Sequence, residues 1–412
     1  MEVPVKPARF RPLFLAALSL SVAALGIVAA TSSAAAEPSA AAVGLPGPFD
    51  DSFYKAPSPL PAGSPGDVIR WRPAVPLMNI ANADAWQVMY LSTNGLGQRN
   101  AVTGTVFVPK GVDPAKAPIV GYAVGTQGPA FKCTPSKAIE RGTLYDQPAI
   151  NDSISSGYAV AVTDYEGYSA TTVPTYITGQ SMGPAVLDSV RAAQNFSPAE
   201  LSKSAKVIVQ GYSQGGGGSM WAGEKQPTYA PELNLVGVVA GGVPADLTEV
   251  AKGLDGYIGF GFLAFAAVGL DAAYPDLKLD SYLNDTGRKE LGDAKKNACV
   301  AELLLNYPFK KISDYTTTNP LNTPQWQARL AQNKLGANPP RVPVFQYHAT
   351  TDEIVNTPQA ETLHKAYCAA GVREQWKTYI AEHATGILAG NADAHQWIVK
   401  RFKGEQAPSN CP

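Results

Sequence analysis

Short apolar runs recur along the chain at residues 119–124, 158–163, 207–210, 235–240 and 342–347. They are rich in β-branched residues and end at Gly, Pro, Asp or Thr, as strands buried on both faces of a sheet do. Between them the apolar period lengthens to that of helices. Met182, Val186 and Val190 fall at i, i+4 and i+8 on one face, with Arg191 pointing elsewhere. Within 358–370, Ala360, Leu363 and Tyr367 share a stripe, and Gly371 stands where a helix would stop. Residues 374–380 predict a last strand and 392–402 a last helix. Two earlier β segments, 86–91 and 103–108, are separated by the turn-like Asn94-Gly95-Leu96-Gly97. This alternation predicts an α/β, doubly wound fold with a mostly parallel central sheet and helices on both faces.

Two stretches fall outside the alternation. Residues 45–76 are rich in Pro, Gly and Ser and read as an extended surface arm rather than regular structure. Residues 245–338 offer helix-like patterns and turns but no convincing parallel strand, which predicts a helical cap inserted between two parts of a core, 37–244 and 339–412. Inside the cap, 258–270 is apolar and uncharged. It reads either as a buried helix of the cap or as the lining of a channel for an acyl chain.

The N-terminus reads as a targeting segment. Lys6, Arg9 and Arg11 precede the apolar run 13–30, and Ala34-Ala35-Ala36 before Glu37 fits a small-residue cleavage site. A cleaved signal peptide over 1–36 is favoured over a membrane anchor. No later run reaches the roughly 18 apolar residues that a span needs. The mature chain is therefore expected to be soluble, without a transmembrane segment, and secreted into the medium or the cell wall.

Charge and cysteines narrow the chemistry. A net charge of -1 argues against nucleic acid as a partner. Four cysteines in an exported chain predict disulfides, with three pairings open. No Cys-x-x-Cys pair is present, and His348, His364, His383 and His395 lack zinc-ligand spacing, so no metal is expected.

Gly211-Tyr212-Ser213-Gln214-Gly215 has the form of a nucleophile elbow. The pattern is weak alone. Here a strand over 207–209 leads in and a helix over 219–224 leads out, the setting the elbow requires. A phosphate-binding helix start is the competing reading, but no Lys or dinucleotide fingerprint follows. Glycines at 211 and 215 remove side chains that would collide around so sharp a turn.

A serine hydroxyl needs a base within hydrogen-bond reach. After such an elbow, the acid and then the histidine follow at strand exits. Asp352 lies in the turn after 342–347, and His383 in the loop 381–386 after the last strand. Glu353 is the rival acid, one residue further from the strand. His364 and His395 sit in helix patterns, and His348 lies within a strand, where a core hydrogen bond is the expected role. Asp164 also ends a strand but precedes the serine, so it is out of order. These positions predict acyl transfer: His383 takes the Ser213 proton, and Asp352 orients and steadies the imidazole. The oxyanion would be held by the Gln214 amide and by the loop Gly125-Thr126-Gln127-Gly128, through Thr126 or Gln127. An imidazole base predicts activity lost as pH falls through the histidine range.

The chain resembles the secretory lipase family, in its actinobacterial branch, over nearly the whole mature sequence. The resemblance rests on an ordered set: Phe53-Tyr54, Pro57-Ser58-Pro59-Leu60-Pro61-Ala62-Gly63, the Gly-Thr loop followed by Cys133-Thr134-Pro135-Ser136, Asp164-Tyr165-Glu166-Gly167, Gly211-Tyr212-Ser213-Gln214-Gly215-Gly216 and Thr351-Asp352-Glu353-Ile354-Val355. It implies an α/β-hydrolase fold, hydrolysis of acylglycerol or other esters, a helical cap and no cofactor. It supports Ser213, Asp352 and His383, and implies the pairs Cys133–Cys299 and Cys368–Cys411. Val124 departs from the pattern, since relatives often carry His there. The implied partner is a lipid or ester substrate, taken at a lipid–water interface. A carboxylesterase for short, soluble esters is the alternative enzyme. An exported binding protein on an inactive scaffold is the non-enzymatic one, against which the ordered Ser, Asp and His argue.

Overall fold

The computed structural model describes residues 44–75 and 82–412, so the expected signal peptide, 1–36, lies outside the described residues. Among the described residues, ten strands form one sheet. In chain order they are β1 (Leu45–Pro46), β2 (Val68–Pro73), β3 (Ala83–Thr93), β4 (Arg99–Pro109), β5 (Ile119–Ala123), β6 (Ala159–Thr163), β7 (Val207–Tyr212), β8 (Leu235–Gly241), β9 (Val344–Ala349) and β10 (Glu374–Tyr379). Their spatial order is β1-β2-β3-β4-β6-β5-β7-β8-β9-β10. From β6 to β10 every pairing is parallel, while β2, β3, β4 and β6 pair antiparallel. This is the mostly parallel α/β sheet that the apolar runs predict, and the α/β-hydrolase arrangement that the resemblance implies.

The helices are α1 (Pro135–Arg141), α2 (Gln147–Ser155), α3 (Gly179–Asn195), α4 (Gln214–Tyr229), α5 (Leu247–Leu254), α6 (Phe260–Ala273), α7 (Asp285–Asn297), α8 (Val300–Asn306), α9 (Ile312–Tyr315), α10 (Pro324–Gln332), α11 (Thr357–Ala369) and α12 (His383–Phe402). The stripe Met182, Val186 and Val190 is buried on α3. Arg191 leaves that face to bond Asp188 and Glu232. Strands β5, β6, β7 and β9 are buried along their whole length. Each of Val207, Ile208 and Val209 contributes on the order of 1.5–3 kcal/mol by leaving water. Between β8 and β9 the chain makes α5 to α10 and, among the described residues, no strand of the sheet. Their apolar side chains form a cluster separate from the one around the sheet. No single helix among the described residues is long and apolar enough to cross a membrane.

Two segments differ from expectation. The arm over 45–76 contains β1 and β2, which extend the sheet. Buried Arg72 fixes β2: its guanidinium donates to Gln87 Oε1 at 2.6 Å and to the carbonyls of Pro48 and Asp50. The surrounding Pro and Gly hide this strand, because its stability comes from pairing with β3 rather than from composition. The last helix starts at His383, not near 392. Glu382 caps it, accepting from the Ala384 and Thr385 amides. Gly386 and Gly390 weaken the helix signal locally. At Gly386 the close approach explains the choice, since a Cβ would lie 2.3 Å from the Tyr212 hydroxyl.

Disulfides join Cys133 to Cys299 and Cys368 to Cys411, the pairs that the resemblance implies. The first ties the segment before α1 to the start of α8.

Candidate active site

Parallel pairing aligns the carboxyl ends of the central strands. Ala123 lies beside Gly211, Tyr212 beside Gly241, Gly241 beside Tyr347, and Ala349 beside Tyr379. The segments that follow these ends therefore meet at one edge of the sheet. They carry the 125–128 loop, Ser213, Asp352 and His383.

Ser213 sits between β7 and α4 with φ 60° and ψ -121°, a left-handed backbone conformation that a non-glycine residue rarely adopts. The turn is tight enough that a Cβ at Gly215 would lie 2.0 Å from the Ala123 carbonyl oxygen, and one at Gly211 2.4 Å from the same atom. Ser213 Oγ lies 2.9 Å from His383 Nε2, and His383 Nδ1 lies 2.8 Å from Asp352 Oδ2. The Asp352 side chain is fully buried and that of His383 is 13% exposed. Asp352 Oδ1 accepts the Ile354 amide at 3.0 Å and the Val355 amide at 2.7 Å. Burial pushes this carboxyl up, but hydrogen bonds from His348 and His383 outweigh it and hold Asp352 well below the ordinary carboxylate range.

Neighbouring groups fix the imidazole. Glu353 Oε2 accepts the His383 backbone amide at 2.9 Å, and the Tyr212 hydroxyl donates to the His383 carbonyl at 2.8 Å. The two candidate acids thus divide the work, Asp352 facing the ring and Glu353 the main chain. His348, buried in β9, bonds the Val355 carbonyl at 2.7 Å and also reaches to 3.3 Å from Asp352 Oδ2. No local pattern marks that contact, because a strand followed by a turn gives residues four apart no fixed facing. His364 of α11 faces Glu374 at the start of β10, and His395 faces Ser156. His364 and Glu374 also adjoin Cys368, whose sulfur is committed to a disulfide. Asp164 binds Thr103 Oγ1 together with the amide and hydroxyl of Ser136, and so ties α1 to the sheet.

The Gln214 amide opens α4, one of the N-terminal donors that a helix leaves unsatisfied. Across from it, the 125–128 loop is held at several points, Gly128 among them, whose carbonyl accepts the Tyr168 hydroxyl at 2.9 Å. Asp146 accepts the Gly125 amide at 3.2 Å, Tyr145 donates to the Thr126 carbonyl at 3.2 Å, Thr126 Oγ1 meets the Tyr176 hydroxyl at 2.8 Å, and the Val300 amide donates to the Gln127 carbonyl at 2.8 Å. Tyr176 in turn stacks on Phe265 of α6, with centroids 4.1 Å apart.

Ser213, Gln214, His383 and Thr126 open onto a cavity of about 430 Å³, the size range of a small-molecule site. Gln127 does not line it. The remaining wall is almost wholly apolar and includes Leu247, Val250 and Leu254 of α5 and Phe262, Ala266 and Ala267 of α6. The apolar run over 258–270 is divided between a buried face and a wall of this cavity. Phe265 and Val268 are buried, while Phe262, Ala266 and Ala267 face the cavity.

A profile of the family described as "Secretory lipase" matches residues 134–410. Lipase 6 of Candida albicans is 32% identical, covering 88% of this chain and 83% of its own length. Lipase A of Moesziomyces aphidis is 33% identical, covering 89% and 83%. The crystal structure of Candida antarctica lipase A superposes with a TM-score of 0.79 at 31% identity, covering 89% of each chain. The rice cell wall degrading esterase LipA of Xanthomonas oryzae shares the fold, with a TM-score of 0.69 at 19% identity over 84% of this chain and 100% of that one.

Proposed function

Because the chain belongs to the secretory lipase family and is a serine ester hydrolase, we propose that Ser213, His383 and Asp352 are its catalytic triad and that acylglycerols are its substrates. The observation that carries this reading is the unbroken line of hydrogen bonds from Ser213 Oγ through His383 to Asp352, opening onto an apolar cavity.

His383 Nε2 takes the hydroxyl proton as Ser213 Oγ attacks the ester carbonyl carbon. Negative charge gathers on the former carbonyl oxygen, which the Gln214 amide and the 125–128 loop would receive. Thr126 is the better second donor, since it lines the cavity and Gln127 does not. His383 returns the proton to the departing alcohol and leaves an acyl-Ser213. Water then repeats the sequence and frees the acid.

Helices α5 to α10 would act as a cap whose α5 and α6 faces hold the acyl chain. At the mouth, Tyr145, Leu304 and Leu388 line the cavity and are 39%, 37% and 64% exposed. An apolar rim of this kind supports action at a lipid–water interface. One relative is named a secreted triacylglycerol lipase, in Malassezia furfur. That name, the two disulfides and the sequence of 1–36 support export after cleavage behind Ala36.

An ester series from short to long acyl chains, on protein titrated with a fluorophosphonate probe, tests the proposal. The wild type should be labelled and should hydrolyse emulsified long-chain esters, and Ser213→Ala should do neither. Turnover of short, soluble esters alone would make the protein a carboxylesterase.

A further inference from the structure

His348 is a buried ionisable group that the mechanism above does not use. Its Nε2 lies 2.7 Å from the Val355 carbonyl oxygen, which can only accept, so the ring proton sits on Nε2. Its Nδ1 is buried without a partner among the described residues. A proton placed there instead would be an unpaired buried N–H, which the fold disfavours. His348 thus presents Nε2 as its donor. The same nitrogen lies 3.3 Å from Asp352 Oδ2, the oxygen that His383 Nδ1 meets at 2.8 Å. Trp376 of β10 stacks along the His348 ring, with centroids 6.1 Å apart and planes at 25°. The ring has little freedom to turn away.

We infer that His348 is a positioning residue for ester hydrolysis, a second imidazole on the triad carboxylate that sets how strongly Asp352 holds the His383 proton. This rests on the triad reading proposed above. A donor on Oδ2 draws charge from the oxygen that stabilises the His383 imidazolium, which makes His383 easier to deprotonate. Among the contacts that lower the Asp352 carboxyl, the hydrogen bond from His348 is the largest and that from His383 follows. Other titratable groups surround the pair: Glu353 and Glu382 beside His383, Tyr212 on β7, and His364 with Glu374 behind Trp376. All remain in the variants below, so differences between variants report on position 348.

The test is the pH profile of kcat/KM on a soluble ester for wild type, His348→Leu and His348→Gln, normalised by active-site titration. His348→Leu should move the acid limb to higher pH by roughly half a unit or more, with lower kcat. His348→Gln, whose side-chain amide can still donate, should bring the limb back toward wild type. A limb that stays in place while kcat falls in both variants would make His348 a packing residue and overturn the inference. If His348→Leu does not fold, the His348→Gln profile decides. A limb in place with kcat near wild type sustains the inference, and kcat lowered with the limb unmoved overturns it. Asp352→Asn, run alongside, separates the two claims: wild-type activity in that variant would remove the triad reading itself.

Discussion

Glu353 accepts the backbone amide of His383 at 2.9 Å, while the adjacent Asp352 takes the ring nitrogen of the same residue at 2.8 Å. Consecutive carboxylates therefore pin the main chain and the side chain of one histidine separately. Only the ring contact changes with the protonation of the imidazole, so the two acids should have unequal kinetic weight. Asp352→Asn is expected to lower kcat by about 10⁴, since it leaves the ring without a fixed tautomer. Glu353→Ala should cost about tenfold, because water can replace it at a helix N-terminus. Steady-state kinetics on titrated enzyme will show the contrast, and losses of similar size would shift the acid's role toward residue 353.

Ala266 and Ala267 give α6 a low wall on the cavity side. Ala266→Phe fills part of the 430 Å³ with a ring while leaving the buried face of α6 untouched. Hydrolysis of long-chain esters should fall by about tenfold or more, with short esters spared, since lost apolar contacts of 1–3 kcal/mol translate to that range. A chain-length series measures this. Uniform loss at every length would mean that the acyl chain does not run along α6.

Asp146 is buried beneath the 125–128 loop, where desolvation pushes its carboxyl up to about 7 against the pull of hydrogen bonds from Gly125 and Tyr122. The folded state thus favours the protonated form. Its contribution to stability is whole below about pH 4 and is lost as pH rises through about 7, on the order of a few kcal/mol. Asp146→Asn has no proton to give up. Thermal unfolding at pH 5 and pH 8 should therefore show the variant gaining on the wild type at the higher pH. An equal gap at both values would mean that the carboxyl ionises as a free one does.

Much of the sheet was legible because its signal is local. Val207-Ile208-Val209 and the run at 119–124 are apolar at every position, and strands buried on both faces require that. The partly exposed strand β2 carries no such run, and Arg72 gains its partners only when Gln87, Pro48 and Asp50 converge from elsewhere in the chain. The start of α12 was hidden for a related reason. Its capping carboxylate is local, at Glu382, but the group that receives its first amide is Glu353, thirty residues upstream.

The sequence by itself determined the elbow, because a serine on a sharp strand-to-helix turn demands small residues at 211 and 215. It also determined the order of acid and histidine behind it, since both follow segments that the chain's pattern marks as strands, 342–347 and 374–380. Tertiary structure alone decided which carboxylate faces the imidazole ring and which the main chain. It also brought His348 near the same Asp352 oxygen that His383 meets and divided α6 between a buried face and a cavity wall. Periodicity fixes which residues share a face of one element. Distances between side chains on different elements depend on strand register and helix packing, which involve residues far apart in sequence.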